Sequence, residues 1–245
     1  MEPSRTGRLT PAYMMRNTGH RVLFFLVLMA VWGGGCSAFG ESRIYRELVR
    51  GMEYVNTYRI QENGSGFIVT IVSRLGEQIR IQKKLWLDHT YATMKWSYQD
   101  LLENIDIFAV REGDTIRLTG MDRGEQVEKV YKIDSLPWKQ QFPLDLERFA
   151  TSSEDSIEFW AIGTNGPADM RIAKFMARKE KSDPIQYNGE RTDALQVRVS
   201  FAGILSVIWH GVSWHRVSDG RFVLFDSSAA PGHPPTKVEL VSELD

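Results

Sequence analysis

The residues of this 245-residue chain best suited to metal or nucleophilic chemistry are five histidines and a single cysteine. Their spacing speaks against both uses. His210 and His215 lie five apart, and a strand sends residues at odd spacing to opposite faces. They therefore make no natural pair for one metal ion. His89 and His233 stand alone, and no HExxH pattern occurs. Glu103/Asp106 and Glu154/Asp155 supply pairs of carboxylates, as glycosidic hydrolysis requires. Both pairs sit in polar stretches that read as turns or solvated edges. No GxSxG elbow is present, and Asn63-Gly64-Ser65-Gly66 lacks the Lys-Ser/Thr ending of a phosphate loop. The expectation is no catalytic residue, no metal and no cofactor.

The aromatic residues offer different chemistry, the burial of apolar surface. Beyond the first 35 residues there are six tryptophans: Trp86, Trp96, Trp138, Trp160, Trp209 and Trp214. Large rings either fill the core of a sheet protein or line a cavity for an apolar ligand. Trp138 and Trp209 lie in or beside irregular segments, which makes them the better ligand candidates. Trp96 and Trp160 on strands, with Phe142 and Phe149 on a covering segment, complete the candidate ligand-binding set. Shielding an acyl chain in this way is worth about 0.8 kcal/mol per CH₂.

Cys36 belongs to a different pattern. Arg5, Arg8, Arg16 and Arg21 precede an apolar run from Val22 to Trp32, and Gly33, Gly34 and Gly35 lead into the cysteine. Positive, then apolar, then small is the order of an export signal. Three readings follow. In a bacterial lipoprotein signal, cleavage leaves Cys36 as a diacylated N-terminus and membrane anchor; Gly35 fits this, whereas Gly33 departs from the usual aliphatic residue. In ordinary secretory cleavage, Ala38 and Gly40 precede a cut before Glu41. In an uncleaved anchor, the apolar run of about eleven residues falls well short of the roughly twenty that span a bilayer. The first is preferred. Ser37 rather than aspartate after the cysteine resembles the outer-membrane destination in lipoproteins of Gram-negative type. The expected division is a signal at 1–35, a lipid-anchored linker or short helix at 36–52, and one β-rich domain at 53–245.

Removing residues 1–35 takes four arginines and one glutamate from a chain of net charge −1, leaving −4. That mildly acidic, mixed surface argues against general nucleic-acid binding. With Cys36 consumed there is no disulfide framework, so the fold must rest on its core.

The elements that position these residues read as strands. Glu53–Gln61, Phe67–Ser73, Gln78–Leu85, Thr90–Tyr98, Ile105–Arg111, Thr115–Thr119 and Val127–Ile133 are β-branched or alternating runs split by glycine turns. In Thr90–Tyr98 the set Ala92, Met94, Trp96 and Tyr98 is the expected core side. Asp134–Ser153, with Pro137 and Pro143, breaks the pattern and is expected to pack on the sheet as a lid or plug. Strands resume at Ser156–Ile162, Met170–Arg178, Ala194–Phe201, Val212–Val217, Arg221–Phe225 and Lys237–Val241. Ser42–Met52 reads as a short helix, with Ile44, Leu48 and Val49 on one face. Ten to twelve strands joined by short turns predict a mainly β protein, a strongly curved antiparallel sheet or unclosed barrel with short helices over its concave face.

Part of the chain also carries a resemblance. The IEFWAIG run at Ile157–Gly163, the Asn188-Gly189 turn and its strand, the Trp214 strand with Ser218-Asp219-Gly220-Arg221, and PPTKVELVS at Pro234–Ser242 resemble a family of uncharacterised exported bacterial β-rich proteins. The fold of that family is similar to that of the periplasmic and outer-membrane lipoprotein carriers. The resemblance covers about Pro143 to Leu240 and implies an unclosed barrel whose apolar interior suits a lipid or acyl ligand. It brings no catalytic residue. Two functional expectations follow: non-enzymatic binding of an apolar ligand or a lipidated partner protein in the cell envelope, or a scaffold or assembly factor that binds another protein through a sheet edge.

Overall fold

The computed structural model describes residues 40–244 apart from 165–169, 188, 208 and 228–233, with 164, 204 and 205 described by backbone alone. The signal segment, Cys36 and His233 lie outside the described residues. Fourteen strands form one antiparallel sheet: β1 Glu41–Val49, β2 Met52–Glu62, β3 Phe67–Leu75, β4 Gln78–Leu87, β5 Thr93–Asp100, β6 Ile105–Glu112, β7 Thr115–Asp122 and β8 Glu125–Lys132, then β9 Ser156–Thr164, β10 Met170–Tyr187, β11 Glu190–Phe201, β12 His210–Arg216, β13 Phe222–Ser227 and β14 Thr236–Leu244. The strand order is β8-β7-β6-β5-β4-β3-β2-β1-β14-β13-β12-β11-β10-β9, so the ladder is not closed into a barrel. The predicted curved, unclosed antiparallel architecture is the one observed.

The expected helix over Ser42–Met52 is instead β1. Strand pairing on both sides overrides a short helical periodicity: β1 bonds β2 along its whole length and β14 on the other side, and so joins the two arms of the sheet. Arg43 and Tyr45 point inward and are buried, an alternation of period two. A second correction lies in β5. Trp86 faces Lys95 while the adjacent Leu87 faces Thr93, which leaves Met94 as an unpaired bulge residue. The bulge turns Met94 outward and Thr93 inward, the reverse of simple alternation.

Two apolar clusters occupy the concave side. The larger draws Val69, Ile71, Leu85, Trp96, Ile107, Ile116 and Leu118 from β3 to β7, with Tyr45, Phe222 and Leu240 from β1, β13 and β14. The smaller draws Phe159, Phe175, Ala177, Val197 and Val199 from β9 to β11. Residues 134–152 cross this concave side, as the sequence predicts for a plug. They contain the short helix α1, Glu147–Thr151, preceded by a 3₁₀ turn at Leu144–Leu146. Trp138 and Leu144 join the larger cluster, and Leu146 and Phe149 the smaller.

Candidate functional site

The plug is held by its polar atoms. Trp160 N–H donates to the Pro137 carbonyl at 2.8 Å, and Lys139 N–H donates to the Trp160 carbonyl at 2.8 Å. The Gln140 side-chain amide then imitates a strand residue: its Oε1 accepts from Ile162 N–H at 3.0 Å and its Nε2 donates to the Ile162 carbonyl at 2.9 Å. On the other side, Thr93 N–H donates to the Trp138 carbonyl at 2.6 Å and Gln140 N–H donates to Thr93 Oγ1 at 3.0 Å. The inward turn of Thr93, produced by the β5 bulge, makes this contact. The segment thereby occupies the outer edge of β9 and ties it to β5.

Beneath it lies a buried polar cluster that pattern reading did not single out. Lys139 Nζ donates to the carbonyls of Asp145 at 2.7 Å and Tyr91 at 3.1 Å. Asp145 Oδ2 accepts from Gln141 N–H at 2.7 Å and lies 3.4 Å from the Thr93 hydroxyl. Its Oδ1 is buried with no hydrogen-bond partner among the described residues. Burial pushes the Asp145 carboxyl up to about 6, although the neighbouring Lys139 ammonium acts in the opposite direction. Burial likewise lowers the Lys139 pKa.

A second fastener joins the plug to β1 and to the β12–β13 turn. The Arg43 guanidinium pairs with Glu147 of α1 and with Glu41 at 2.7 Å. Arg221 bridges Glu41 at 2.7 Å and pairs with Glu243, which also meets Arg216 at 3.2 Å. Burial lowers the Arg43 pKa, but Glu147 and the other partners more than offset this and hold it charged. Glu147 Oε1 also accepts from Phe222 N–H at 2.9 Å. Gly220 permits the turn to come this close. Its φ is +75°, and a Cβ there would lie 2.7 Å from the Glu147 carbonyl oxygen and 2.5 Å from Thr151 Cγ2.

The candidate ligand-binding residues fall into three places. Trp96, Trp138 and Phe149 are core residues, exposed by 2 %, 0 % and 4 %. Phe142 and Trp209, both half-buried, come together at the lip of the concave face. There the rings of Phe142, Phe159, Phe175, Phe201 and Trp209 form one cluster. Phe142 lies 5.6 Å from Phe159, 5.4 Å from Phe175 and 6.5 Å from Trp209, and Phe175 stacks on Phe201 at 4.8 Å. Gly211 makes room for the Phe225 ring, from which a Cβ there would lie only 2.6 Å, and Trp209 Cζ2 lies against the same position at 3.4 Å. Trp160 is not part of this group. It alternates with the inward Phe159, donates from Nε1 to Asp134 at 2.8 Å and carries Lys174 Nζ 5.0 Å from its ring centre. The alternation of Phe159, Phe175 and Phe201 with outward residues is the sequence signal for the remaining members of the lip.

The histidines separate as strand geometry requires. His215 points inward and is buried, while His210 is half-buried on the other side of β12. His215 Nδ1 lies 3.0 Å from the Gly220 carbonyl and its Nε2 lies 3.0 Å from Ser213 Oγ. Burial pushes the His215 imidazole down to about 4, against the raising effect of the Gly220 carbonyl. Ser213 and His215 are both fully buried, so no substrate reaches this serine in the structure. The four acids of the candidate carboxylate pairs are all exposed. Among the described residues no three His, Cys, Asp or Glu side chains group to hold a metal ion, and no helix is long and apolar enough to cross a membrane.

The fold and site define a class: an open, β-barrel-like antiparallel sheet with an internal plug. No family model and no curated protein matches the sequence. Among solved structures, the chain is similar to a β-barrel-like protein of the domain of unknown function DUF1849 from Brucella abortus. The TM-score is 0.57 at 11 % identity, covering 84 % of this chain and 97 % of that one. A hypothetical lipoprotein, YmcC from Escherichia coli, aligns at 8 % identity over 82 % of this chain and 86 % of its own, with a TM-score of 0.36. The first of these likenesses supports the β-barrel-like fold, and the second is too distant to add to it.

Proposed function

We propose that this chain is a non-enzymatic, lipid-anchored protein of the bacterial cell envelope that binds an apolar ligand, an acyl chain or the lipid of a lipidated partner, at the lip of its concave face. One observation carries the reading. Phe142, Phe201 and Trp209 are left half-buried at the edge of the smaller apolar cluster, and Phe142 is supplied by the plug. An acyl chain laid on these rings gains the same burial that holds the cluster together. Protein binding through a sheet edge has less support. The plug occupies the edge of β9, and β8 carries Glu125, Glu128, Lys129 and Lys132, the charges that guard an exposed edge.

The test purifies the full chain from its membrane fraction beside Cys36→Ser and Phe142→Ala/Trp209→Ala, with intact mass and lipid extracts measured together. The reading expects a mass starting at Cys36 plus acyl groups, lost in Cys36→Ser. It also expects co-purifying lipid that falls several-fold in the aromatic variant. A soluble protein starting at Glu41 overturns the anchor. Equal lipid in the aromatic variant overturns the binding site.

A further inference from the structure

On the opposite, convex face of the same arm, the 3₁₀ turn Gly203–Val207 overhangs β10 and β11 and leaves an open groove of about 750 Å³. Ala177, Val197 and Val199 point into the core, so the residues between them point into this groove. Its floor is built in rows across the strands. Met176 pairs with Ser200, and Ser200 with His210; in the next row Arg178 pairs directly with Arg198. Like charges directly opposite one another destabilise an antiparallel pair. Glu180 relieves Arg198 at 3.5 Å. No carboxylate among the described residues lies within ion-pair distance of Arg178, whose guanidinium meets only Met176 Sδ at 3.9 Å. Beside these charges lie Met176 and Val207, the latter 87 % exposed. A forked pair of guanidiniums matches the oxygens of a phosphate, and an exposed apolar strip beside it matches hydrocarbon.

We infer that this groove is a binding site for an acidic phospholipid, with the phosphate between Arg178 and Arg198 and the first part of the acyl chain along Met176 and Val207. The site is separate from the concave lip and does not depend on it. A bound phosphate removes the Arg178–Arg198 repulsion, so the anion and the fold favour each other.

The test uses the full chain held in an amphipathic polymer. Three soluble probes are titrated: dihexanoyl phosphatidylglycerol kept below its micelle concentration, dihexanoyl phosphatidylcholine and glycerol phosphate. Saturable binding of the phosphatidylglycerol is expected, about tenfold or more tighter than of either other probe, since phosphatidylcholine sets a choline cation beside two guanidiniums and glycerol phosphate lacks the hydrocarbon that the apolar strip would bury. Arg178→Glu is expected to weaken it by about tenfold or more without lowering the thermal midpoint, because Glu opposite Arg198 is a favourable cross-strand pair. Val207→Asn is expected to weaken the lipid but not glycerol phosphate, and Phe142→Ala to leave the groove unchanged. Equal binding of the two lipids, glycerol phosphate as tight as the lipid, unaltered binding by Arg178→Glu, or no saturable binding each overturns the proposal.

Discussion

The two arms of the sheet meet at β1 and β14 and treat their inner faces differently. In the β1–β8 arm the turns are short: Arg50-Gly51 and Arg123-Gly124 both adopt positive φ at each residue, as two-residue hairpins require. The side chains below are mostly aliphatic and fully buried under the plug. In the β9–β12 arm, β10 runs for 18 residues with a register shift between Lys179 and Ser182, and a 3₁₀ turn interrupts the passage from β11 to β12. Here rings remain half-covered and two arginines pair side by side in the floor of a groove. The regular arm supplies the scaffold, and the irregular arm supplies both candidate binding surfaces. The plug joins them, through Gln140 on β9, Thr93 on β5 and Glu147 on Arg43.

The most severe way to break this arrangement is to remove Arg43. Arg43→Met leaves Glu147 buried without its cation, and breaking one partner of a buried pair costs about 3–5 kcal/mol. Urea unfolding of the full chain should show that loss. A double variant with Glu147→Leu should recover part of it, but only part, since Phe222 N–H also loses its acceptor. A loss below about 1 kcal/mol for Arg43→Met would mean that the plug is held by Gln140 and Thr93 alone.

The second comparison sets the plug against β12 by pH. The folded pKa of His215 lies at about 4, below the 6.5 of the free imidazole. Its contribution is therefore complete above pH 6.5 and is lost as pH falls towards 4. Asp145 behaves in the opposite sense. Its folded pKa of about 6 exceeds the free value of 3.8, so its contribution is complete below pH 3.8 and is lost as pH rises through 6. Each effect is roughly 3 kcal/mol, and between pH 4 and 6 the two largely cancel. Stability measured across this range should be shallow in the parent. His215→Gln should leave a stability that rises on acidification, and Asp145→Asn one that falls. Parallel profiles for the two variants would remove the assigned burial of one or the other group.

The scaffold was far more legible in the sequence than the fasteners. Alternation in β9 to β13, the Glu112-Gly113-Asp114 and Ser218-Asp219-Gly220 turns, and the prolines of the plug all mark their elements, because turn chemistry and period-two burial act locally. In β1, Ile44, Leu48 and Val49 fit a helix face until both neighbouring strands are in place. The cluster of Lys139, Asp145 and Thr93, and the pair of Arg43 and Glu147, left no pattern at all. Arg43 and Glu147 are 104 residues apart, and only the curvature of the sheet brings them together. Of the aromatic candidates, composition identified large rings but not their depth. The structure sends Trp96, Trp138 and Phe149 to the core, Phe142 and Trp209 to the lip, and Trp160 to the other side of β9.

That last separation gives the smallest effect and the sharpest discrimination. Trp160 and Trp209 are both half-buried tryptophans of the irregular arm, so composition and exposure treat them alike. Their surroundings differ. Trp209 touches Phe142, Phe175 and Phe201, whereas Trp160 bonds Asp134 and lies under Lys174. Trp160→Phe keeps most of the ring and loses one partly solvated hydrogen bond, a change of about 1 kcal/mol or less. Trp209→Leu removes a ring from the lip. If apolar binding belongs to the lip, acyl-chain capture should fall several-fold in Trp209→Leu and stay at the parental level in Trp160→Phe. An equal fall in both would show that the ligand depends on the stability of the β9–β12 arm as a whole, and the lip would then lose its claim to be the site.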